Sequence, residues 1–349
     1  MPNSPPILII GAGVLGLCTA VELTRRGHEV RVVDPGLANA SSVAAGMIAP
    51  ALEALLDEVT PERAALFRDA RALWDGFAEA AGITIHPAPT VWAGGDAAAV
   101  TEALAELGFG PVEAGADGRI SLPSDGLVEP GPALAALRAA LRQPVIAGRV
   151  ERIERRADGW TVKIEAGELR AASVVLATGA AVGIAGLPEA AAVLVDQVTP
   201  IRGQIGFAPG LVTGKVVRGR GVYVAPSGTG AVIGATMEAG RRDLALDMAS
   251  GEALTAAAEA LLGRAVGEPI VWRVGIRGAT PDGLPMAGAS GETGFYLALA
   301  PRRNGWLLGP LVARVVADRI EGGAANGGPN GGMGSPHAAA LDPRRFAIR

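Results

Sequence analysis

Cysteine and histidine are scarce in this chain. Cys18 is the only cysteine among 349 residues, which excludes an intrachain disulfide and a cysteine metal cluster. Because Cys18 falls within a predicted apolar helix, we expect it to be a buried structural thiol. The three histidines, His28, His86 and His337, do not have the mutual spacing of a metal site or a catalytic triad. We therefore expect surface or loop histidines and no metal centre.

The chain also lacks an excess of positive charge and a long hydrophobic run. Its 31 Lys and Arg residues against 35 Asp and Glu residues give a net charge of -4, so no basic surface for nucleic acid or an anionic membrane is expected. No apolar run reaches membrane-spanning length, and no basic leader with a cleavage site precedes the first predicted strand. These absences predict a cytoplasmic protein that binds neither nucleic acid nor membrane.

Hydrophobic residues are abundant by contrast. They make up 49% of the sequence, and the mean hydropathy is +0.33. Such a chain can bury a large core, and its length suits two associated domains.

Residues 7–16, Ile-Leu-Ile-Ile-Gly-Ala-Gly-Val-Leu-Gly, carry the most informative pattern. They are typical of a buried strand that runs into a Gly-x-Gly-x-x-Gly turn at the start of a helix, here predicted over Leu17–Arg26. Gly11 permits the tight turn, Gly13 lets the backbone approach a pyrophosphate, and Gly16 lets the helix pack against the strand. N–H groups and the helix dipole then face the phosphates of a dinucleotide.

The segments that follow support this interpretation. A second apolar strand is predicted at Val30–Val33, and Asp34 ends it about 20 residues after the glycines, where a carboxylate binds a ribose hydroxyl. Residues 174–180 are typical of another buried strand that ends in a small-residue turn, at the edge where an open α/β sheet meets its ligand. We expect this strand to join the first sheet. Residues 7–34 considered alone would also fit an NAD-dependent dehydrogenase, so this function is an alternative at this point.

Residues 199–280 have a different character, with short apolar strands separated by glycine turns. This pattern predicts a mostly antiparallel second domain, so the expected fold class is α/β with an α+β second domain. A helix is expected at Ser250–Leu262. The strands are expected at Ile201–Phe207, Val216–Val217, Gly221–Val224, Ala231–Gly234 and Ile270–Arg277.

Helical spacing recurs elsewhere in the chain. Two amphipathic helices are predicted over Glu53–Ala81, and a last helix from about Leu307 to Ile320. Residues 322–336 are so rich in glycine that we expect a flexible linker. The final residues 341–346 are expected to dock back onto the fold.

Beyond the glycine turn, a series of short motifs occurs in one order along nearly the whole chain. They are residues 41–50, Val174–Gly179, Pro200–Gln204, Tyr223–Pro226, Gly234–Glu238, Gly275–Pro285 and Arg303–Gly305. With this set the chain resembles the FAD-dependent D-amino-acid oxidase superfamily, and within it most resembles glycine oxidase of the thiamine pathway. The joint order of the motifs is more specific than any one of them.

The resemblance implies a Rossmann-like FAD-binding domain and a mostly antiparallel substrate-binding domain. The FAD-binding domain is expected to comprise residues 1–85, 130–198 and 281–349. The substrate-binding domain is expected to comprise residues 86–129 and 199–280.

The resemblance also implies which residues bind FAD. Ser41–Met47 resembles the loop over the pyrophosphate, the ribityl chain and the flavin edge, and residues 304–306 open a helix whose N-terminus lies near the flavin's pyrimidine side in such enzymes. No histidine occurs near residues 41–50 and Cys18 is the only cysteine, so we expect non-covalent FAD. The expected FAD-binding residues are Gly11, Ala12, Gly13, Val14, Leu15, Gly16, Asp34, Ser41, Ser42, Ala45, Gly46, Met47, Val150, Thr178, Gly179, Arg302, Arg303, Asn304, Gly305 and Trp306.

Four residues outline a site for a small amino acid by the same resemblance. Arg277 would pair with the substrate carboxylate through its planar guanidinium. Arg303 matches a second arginine of the family, Tyr223 a tyrosine beside the substrate, and Met237 an apolar wall. The implied reaction is oxidative deamination of glycine, sarcosine or a small D-amino acid, in which a hydride passes to flavin N5 and the products are an imine and hydrogen peroxide. Oxygen is then the second substrate, the imine would supply thiamine thiazole synthesis, and a homo-oligomer is expected.

Two departures from the family pattern bear on this site. Gly278 stands where relatives often have proline, which predicts a looser loop around Arg277. Pro301 and Arg302 replace a histidine and an aromatic residue, which predicts an altered pocket, oxygen reactivity or substrate preference. Two other functions stay open: a dehydrogenase that passes electrons to a quinone or a partner protein, and a non-catalytic flavoprotein subunit.

Overall fold

The computed structural model describes residues 5–110, 112, 114–267, 269–324 and 335–347. The chain folds into two compact units. The first unit consists of Met1–Asn39, Leu134–Pro200 and Arg277–Arg349, and the second of Ala40–Ala133 and Ile201–Ile276. Residues 40–85, which we expected in the FAD-binding domain, therefore group with the second unit. Which ligand each unit binds stays a prediction.

The secondary structure alternates between helices and short strands. The helices are α1 (Val14–Arg25), α2 (Ala40–Val43), α3 (Pro50–Leu56), α4 (Pro61–Ala81), α5 (Ala97–Glu106), α6 (Pro130–Ala139), α7 (Glu189–Val195), α8 (Met248–Leu262), α9 (Gly305–Ala324), α10 (Ala338–Leu341) and a 3₁₀ turn at Pro343–Phe346. The strands are β1 (Ile7–Ile10), β2 (Val30–Asp34), β3 (Met47–Ile48), β4 (His86–Pro87), β5 (Thr90–Trp92), β6 (Ile120–Leu122), β7 (Gly126–Leu127), β8 (Ile146–Ala147), β9 (Val150–Arg156), β10 (Gly159–Ile164), β11 (Gly167–Ala171), β12 (Ser173–Leu176), β13 (Thr199–Pro209), β14 (Val216–Arg218), β15 (Tyr223–Ser227), β16 (Gly230–Gly234), β17 (Glu238–Ala239), β18 (Val271–Ala279), β19 (Met286–Ala289) and β20 (Phe295–Leu299).

The first unit is built on a six-stranded sheet in the order β19-β20-β12-β1-β2-β8. Neighbouring strands are parallel except β19 and β20, which are antiparallel. Every residue of β1 and β20 is buried, as expected for inner strands covered on both faces. The prediction that the strand near residue 174 joins the first sheet is confirmed, because β12 pairs with β1.

Helices α1 and α9 pack closely in the first unit because glycine lines their contact. A Cβ added at Gly309 would lie 3.0 Å from the Cys18 sulfur, and one at Gly305 would lie 3.2 Å from Val14. Cys18 is fully buried, and this burial raises the pKa of its thiol above the ordinary value. The thiol is therefore structural, as predicted.

The C-terminal part of the first unit differs from the prediction in one respect. Helix α9 continues to Ala324, so the linker expected from residue 322 starts too early. The last turn of α9 is held because Glu321 accepts hydrogen bonds from Arg26 and pairs with His28. Residues 325–334 of the expected linker lie outside the described residues. The docking of residues 341–346 is confirmed, since Leu341 is fully buried.

The second unit is mostly antiparallel, as predicted. Its large sheet has the strand order β17-β13-β16-β15-β14-β5-β6, with β18 also paired to β13. Of the pairings along this order, that of β14 with β5 is parallel. Helix α8 covers β14, β15 and β16, and a small sheet of β3, β7 and β4 completes the unit.

Helix boundaries in the second unit follow local sequence signals. The two helices predicted over Glu53–Ala81 are α3 and α4, both of which begin with proline. Thr60 caps the start of α4 and Gly82, with φ +67°, ends it in the left-handed region. None of the helices in the described ranges has the length and hydropathy needed to cross a membrane.

Candidate functional site

The glycine turn between β1 and α1 has the crowding that the sequence predicts. Gly11 has φ +111°, and a Cβ at this position would overlap the carbonyl oxygen of Ala177 at the end of β12. A Cβ at Gly16 would overlap the carbonyl oxygen of Gly11. Only glycine therefore allows α1 to approach this edge of the sheet so closely.

Gly13 is the N-cap residue of α1 and has extended backbone angles, φ -75° and ψ 177°. It has no side chain that could compete for the N–H groups of the first helical turn. No acidic residue lies in that turn either. The positive end of the helix dipole is thus presented to a ligand at the carboxyl end of β1, which favours an anion.

Asp34 lies beside this turn, as predicted. Its Oδ2 accepts a hydrogen bond from the Ala12 N–H at 2.7 Å, and its Oδ1 accepts one from the Gly36 N–H at 2.7 Å. A carboxylate can accept about four hydrogen bonds, so two of them leave capacity for hydroxyl donors. The side chain expected to bind a ribose therefore lies in contact with the turn expected to bind the pyrophosphate.

A second group of predicted site residues meets at the same edge of the sheet. The carbonyl oxygen of Gly278 accepts a hydrogen bond from the Arg302 N–H at 2.8 Å, and Ala279 forms a β-bridge with Pro301. This pairing joins the end of β18, which carries Arg277, to the loop that carries Arg302 and Arg303. Arg277, Arg302 and Arg303 are all half-buried.

Gly278 is crowded, and the looser loop expected there is not found. A Cβ at Gly278 would lie 2.9 Å from Val198, 3.3 Å from the Gly179 carbonyl oxygen and 3.4 Å from the Ala300 Cα. The position lies inside β18 rather than in a loop. Gly278 therefore allows the end of β18 to pack against the turn after β12 and the loop before α9.

The loop before α9 contains two non-glycine residues in the left-handed region, Ala300 at φ +61° and Arg302 at φ +53°. Such angles cost energy and concentrate at functional sites. The loop ends at the buried Asn304, whose carbonyl accepts the Leu308 N–H in the first turn of α9. Because Gly305 lies against Val14, the first turns of α9 and α1 adjoin.

The first unit thus gathers most of the residues expected to bind FAD. Trp306 is buried at the start of α9, and Val150 is buried in a core cluster with Leu8, Ile10 and Val33. The residues that the contacts bring to the carboxyl edge of the sheet are Gly11, Ala12, Gly13, Val14, Gly16, Asp34, Thr178, Gly179, Arg277, Arg302, Arg303, Asn304 and Gly305. Their contacts with a ligand stay predictions.

In the second unit, the loop of residues 41–47 and Tyr223 share one hydrophobic cluster. Ala45 is buried in this cluster, and Met47 and Tyr223 pack against it. Gly46 has φ +75°, and a Cβ there would overlap the carbonyl oxygen of Val128. Ser41 and Ser42 are half-buried in α2. Residues 41–47, predicted to bind the cofactor, and Tyr223, predicted to contact the substrate, are therefore neighbours within this unit.

Tyr223 and Met237 differ in their surroundings. The Tyr223 ring lies directly over Gly234 of the neighbouring strand, where any larger residue would overlap the phenol. Met237 is 41% exposed in the segment that follows β16. The structure therefore gives Tyr223 a fixed position, whereas the contact of Met237 with a substrate stays a prediction.

Two buried polar side chains have a structural role that the sequence analysis did not predict. Both belong to the motif Pro200–Gln204. Arg202 is fully buried and pairs with Glu238, with the carbonyl oxygen of Ala245 and, at 3.4 Å, with Asp243. Gln204 is fully buried and exchanges two hydrogen bonds with the backbone of Asp247. Together they hold residues 236–247 against β13. The alternation of polar residues within an otherwise apolar strand could have indicated that these two side chains are buried and hydrogen-bonded.

A second buried polar group was also missed. Glu53 and Arg218 form an ion pair at 2.6 Å with both side chains almost completely buried. Asp125 lies near them and is 4% exposed. Burial raises the pKa of Asp125 to about 7, although the nearby Arg218 and Arg71 oppose this rise. Scattered single charges in apolar surroundings gave no pattern that could reveal this group.

An open, mostly parallel sheet with a glycine turn at the carboxyl end of an inner strand is typical of a dinucleotide-binding α/β protein. The DAO family, described as FAD dependent oxidoreductase, matches residues 6–319, and the chain belongs to this family. This match excludes the NAD-dependent alternative that residues 7–34 alone left open.

Named relatives include bifunctional proteins and glycine oxidases. The tRNA 5-methylaminomethyl-2-thiouridine biosynthesis bifunctional protein MnmC of Maricaulis maris is 29% identical in an alignment that is 354 residues long with its gaps. The alignment covers 99% of this chain and 56% of that protein. The glycine oxidase of Pseudomonas aeruginosa is 29% identical over 359 residues, which cover 91% of this chain and 95% of that protein. The chain spans about half the length of the bifunctional relatives it matches and nearly all of this glycine oxidase.

A solved structure has the same fold. The crystal structure of glycine oxidase from Geobacillus kaustophilus aligns with a TM-score of 0.76 at 24% identity, over 90% of this chain and 94% of that one. The predicted fold class and the resemblance to glycine oxidase in the D-amino-acid oxidase superfamily are confirmed.

The family implies FAD, and the residues of the first unit fit that cofactor. Gly11 and Gly16 are buried at positions where any Cβ would overlap a carbonyl oxygen, so the turn keeps the close-packed form of a dinucleotide-binding turn. Gly13 starts a 12-residue helix whose dipole favours the pyrophosphate, and Asp34 is an acceptor beside it for a ribose hydroxyl. Residues 11–16 and Asp34 would therefore hold the adenosine and pyrophosphate part of FAD.

Proposed function

We propose that the protein oxidises a small amino acid, such as glycine, sarcosine or a small D-amino acid, with FAD as cofactor and oxygen as electron acceptor. The amino acid loses two electrons and two protons to become an imine, and oxygen takes them up to become hydrogen peroxide. The observation that carries this proposal is the backbone pairing of Gly278 with Arg302 and of Ala279 with Pro301. It brings Arg277 and Arg303 to the carboxyl edge of the nucleotide-binding sheet.

Arg277 binds the substrate carboxylate in this proposal. A guanidinium is permanently charged and offers paired N–H donors that match the two oxygens of a carboxylate. Arg303 supplies a second cationic side chain, and Tyr223 and Met237 are further proposed substrate contacts. Because the amine can bind in its neutral form, no side chain has to act as a base. The protein then contributes orientation and electrostatic stabilisation.

Bound FAD supplies the two-electron acceptor for this reaction. The start of α1 and the start of α9 each present the positive end of a helix dipole, which stabilises negative charge on a bound group. Residues 41–50 contain no histidine and no cysteine, so we propose that FAD is held without a covalent bond. With glycine as substrate, the imine would serve the synthesis of the thiamine thiazole.

The bifunctional relatives support a second candidate substrate. The name of the MnmC proteins refers to a methylaminomethyl group on a tRNA base, which is a secondary amine on a large molecule. The match covers 99% of this chain, so an amine larger than glycine is the alternative. The net charge of -4 favours the small amino acid, because tRNA binding calls for a basic surface.

The proposal is tested by an anaerobic titration of the purified protein with glycine, sarcosine and D-alanine, followed through the visible absorbance of the flavin. Oxygen is then admitted and hydrogen peroxide is assayed. Bleaching of the flavin band with peroxide on reoxidation is the expected result, and the concentration dependence ranks the three substrates. Covalent attachment is tested in the same preparation by acid precipitation, after which non-covalent FAD stays in the supernatant.

Three other results would overturn parts of the proposal. Bleaching without peroxide would identify a dehydrogenase that passes electrons to another acceptor. Bleaching only with a methylaminomethyl-modified tRNA would identify the larger amine as substrate. A flavin that none of these compounds reduces would support a non-catalytic flavoprotein subunit.

A further inference from the structure

The C-terminal segment, residues 335–347, lies beyond the part of the chain that the family match covers, which ends at residue 319. It consists of α10 and the 3₁₀ turn Pro343–Phe346. Leu341 is fully buried, and Phe346 packs against the core cluster that contains Val198 and Ala300. The segment beyond the family match is therefore firmly docked on the first unit.

Arg345 joins this segment to the turn after β18. Its Nε donates to Asp282 Oδ2 at 2.9 Å and its Nη2 donates to Asp282 Oδ1 at 3.1 Å, so the two residues form a bidentate ion pair. The same Nη2 donates to the carbonyl oxygen of Leu284 at 2.7 Å. Both side chains are largely shielded from water, with 16% of Arg345 and 23% of Asp282 exposed. Such planar, charge-assisted pairs fix geometry as well as adding stability.

The turn that Arg345 contacts is the continuation of β18. Thr280 is buried and donates to the Leu284 carbonyl at 2.6 Å, and Asp282 accepts the Leu284 N–H at 3.1 Å. Arg345 therefore binds both the residue that closes this turn and the carbonyl at its end. Burial alone would raise the pKa of Asp282, but the hydrogen bonds and charge of Arg345, together with the hydrogen bonds from Leu284 and Thr280, outweigh that effect, so its pKa lies below the ordinary value.

Only two residues separate Thr280 from Arg277, and both are fixed to the loop before α9. Gly278 accepts the Arg302 N–H, and Ala279 bridges Pro301. Displacement of the turn would thus move both Arg277 and the loop that carries Arg303. The C-terminal segment is coupled to the proposed substrate-binding arginines through four residues of backbone.

We propose that Arg345 is a positioning residue, which clamps the turn 280–284 and thereby sets the place of Arg277 for the substrate carboxylate. This inference rests on the proposed function, since it assigns Arg277 that role. In this inference Arg345 acts through the turn and not by contact with substrate or cofactor. Arg344 offers a matched control, because this neighbouring arginine is half exposed and its hydrogen bonds go to Asp342 within the same segment.

Hydrogen exchange tests the clamp without any need for turnover. In Arg345→Met and in Asp282→Asn, the amides of residues 277–284 should exchange about tenfold faster than in the parent, because the turn opens more often. Arg344→Met should leave these amides unchanged. Unchanged exchange in both clamp variants would overturn the inference. FAD content and melting temperature are measured for each variant. If Arg345→Met does not fold, Arg345→Lys is examined instead, because lysine keeps the positive charge but cannot form the bidentate contact.

A double-mutant cycle then tests the link to Arg277. Arg345→Met should raise the KM for the amino acid about tenfold with kcat and the FAD dissociation constant within about twofold, since only positioning is lost. In an Arg277→Ala background, Arg345→Met should have no further effect on KM. Equal effects in both backgrounds would show that Arg345 does not act through Arg277. If Arg277→Ala itself leaves KM unchanged, the proposed function fails; if it raises KM and Arg345→Met does not, the positioning role alone fails.

Discussion

Arg277 is the residue on which the proposed chemistry depends most directly. It lies near the end of β18, half-buried, next to a residue whose backbone is paired with the loop before α9. A guanidinium in this setting is partly desolvated, so its pairing with a carboxylate is stronger than a pairing in open water. Its neighbour Gly278 has no room for a side chain, which restricts how far the strand end can shift.

We predict that Arg277→Ala weakens substrate binding by about 2–5 kcal/mol while FAD is retained, because a partly buried charge pair is lost. The measurement is the KM for the preferred amino acid together with the ratio of flavin to protein absorbance. Arg273→Ala is the matched control, since Arg273 lies on the same strand and is exposed. A KM that stays at the parent value would remove the carboxylate-binding role from Arg277.

Among the elements, the turn between β1 and α1 tolerates substitution poorly, because Gly11 and Gly16 have no room for a Cβ. We predict that Gly16→Ala lowers FAD affinity at least tenfold, because its Cβ would overlap the Gly11 carbonyl and force the turn open. FAD binding to apoprotein is measured by quenching of flavin fluorescence. Gly76→Ala is the control: Gly76 lies in α4 with no atom within 4 Å of an added Cβ, and the exchange should stabilise the helix by about 1 kcal/mol. Equal FAD affinity in the two variants would contradict the prediction.

Residues 236–247 form an extended segment whose position depends on two side chains of β13. We predict that Arg202→Met lowers the free energy of unfolding by about 3–5 kcal/mol, because Glu238 and Asp243 lose a fully buried cation. Urea unfolding followed by tryptophan fluorescence gives this value. Trypsin should also cut the variant after Arg241 or Arg242 while the parent stays intact. Arg220→Met, at an exposed arginine, serves as control, and a variant that resists trypsin would show that the segment does not need Arg202.

Elements that carry a local sequence pattern could be predicted. The glycine turn and Asp34 were found from sequence because a six-residue pattern fixes the turn and only 22 residues separate Asp34 from Ala12. The contacts that were missed span longer intervals, 43 residues from Arg202 to Ala245 and 63 from Arg345 to Asp282. The end of α9 was misplaced because Arg26, 295 residues away, stabilises its last turn through Glu321. No local pattern encodes such partners.

The candidate site divides in the same way. The glycine turn is accessible to reasoning from residue types, since its geometry demands glycine. The roles of Arg277, Arg303, Tyr223 and Met237 came from the order of family motifs and not from any local rule. The structure adds the backbone pairing that brings Arg277 and Arg303 to one edge of the first unit.

For the whole molecule, the buried group around Asp125 gives stability a pH dependence. Because burial raises the pKa of Asp125 from 3.8 to about 7, the folded protein holds a proton that the unfolded chain releases in that interval. Stability from this residue is therefore full below about pH 4 and is lost as the pH rises to about 7. Each pKa unit of difference corresponds to about 1.4 kcal/mol.

We predict that Asp125→Asn flattens the decrease in unfolding free energy between pH 5 and pH 7, as the amide does not titrate. Denaturant unfolding at several pH values in this window gives the slope for the parent and the variant. Asp158→Asn, which changes an exposed carboxylate, should leave the parent slope intact. Parallel slopes for the parent and Asp125→Asn would show that Asp125 titrates normally.

The chain crosses between the two units four times, after residues 39, 133, 200 and 276. Strand β1 is synthesised long before β20, and its sheet is incomplete until β20 is made near residue 299. At about 5–20 residues per second on the ribosome, the apolar β1 and α1 wait roughly 15–60 s for their last neighbours. During that time their hydrophobic surface is available to chaperones and to other nascent chains. The order of segments along the chain thus means that the first unit, the part with the plainest sequence signature, is completed only after the second unit has been synthesised.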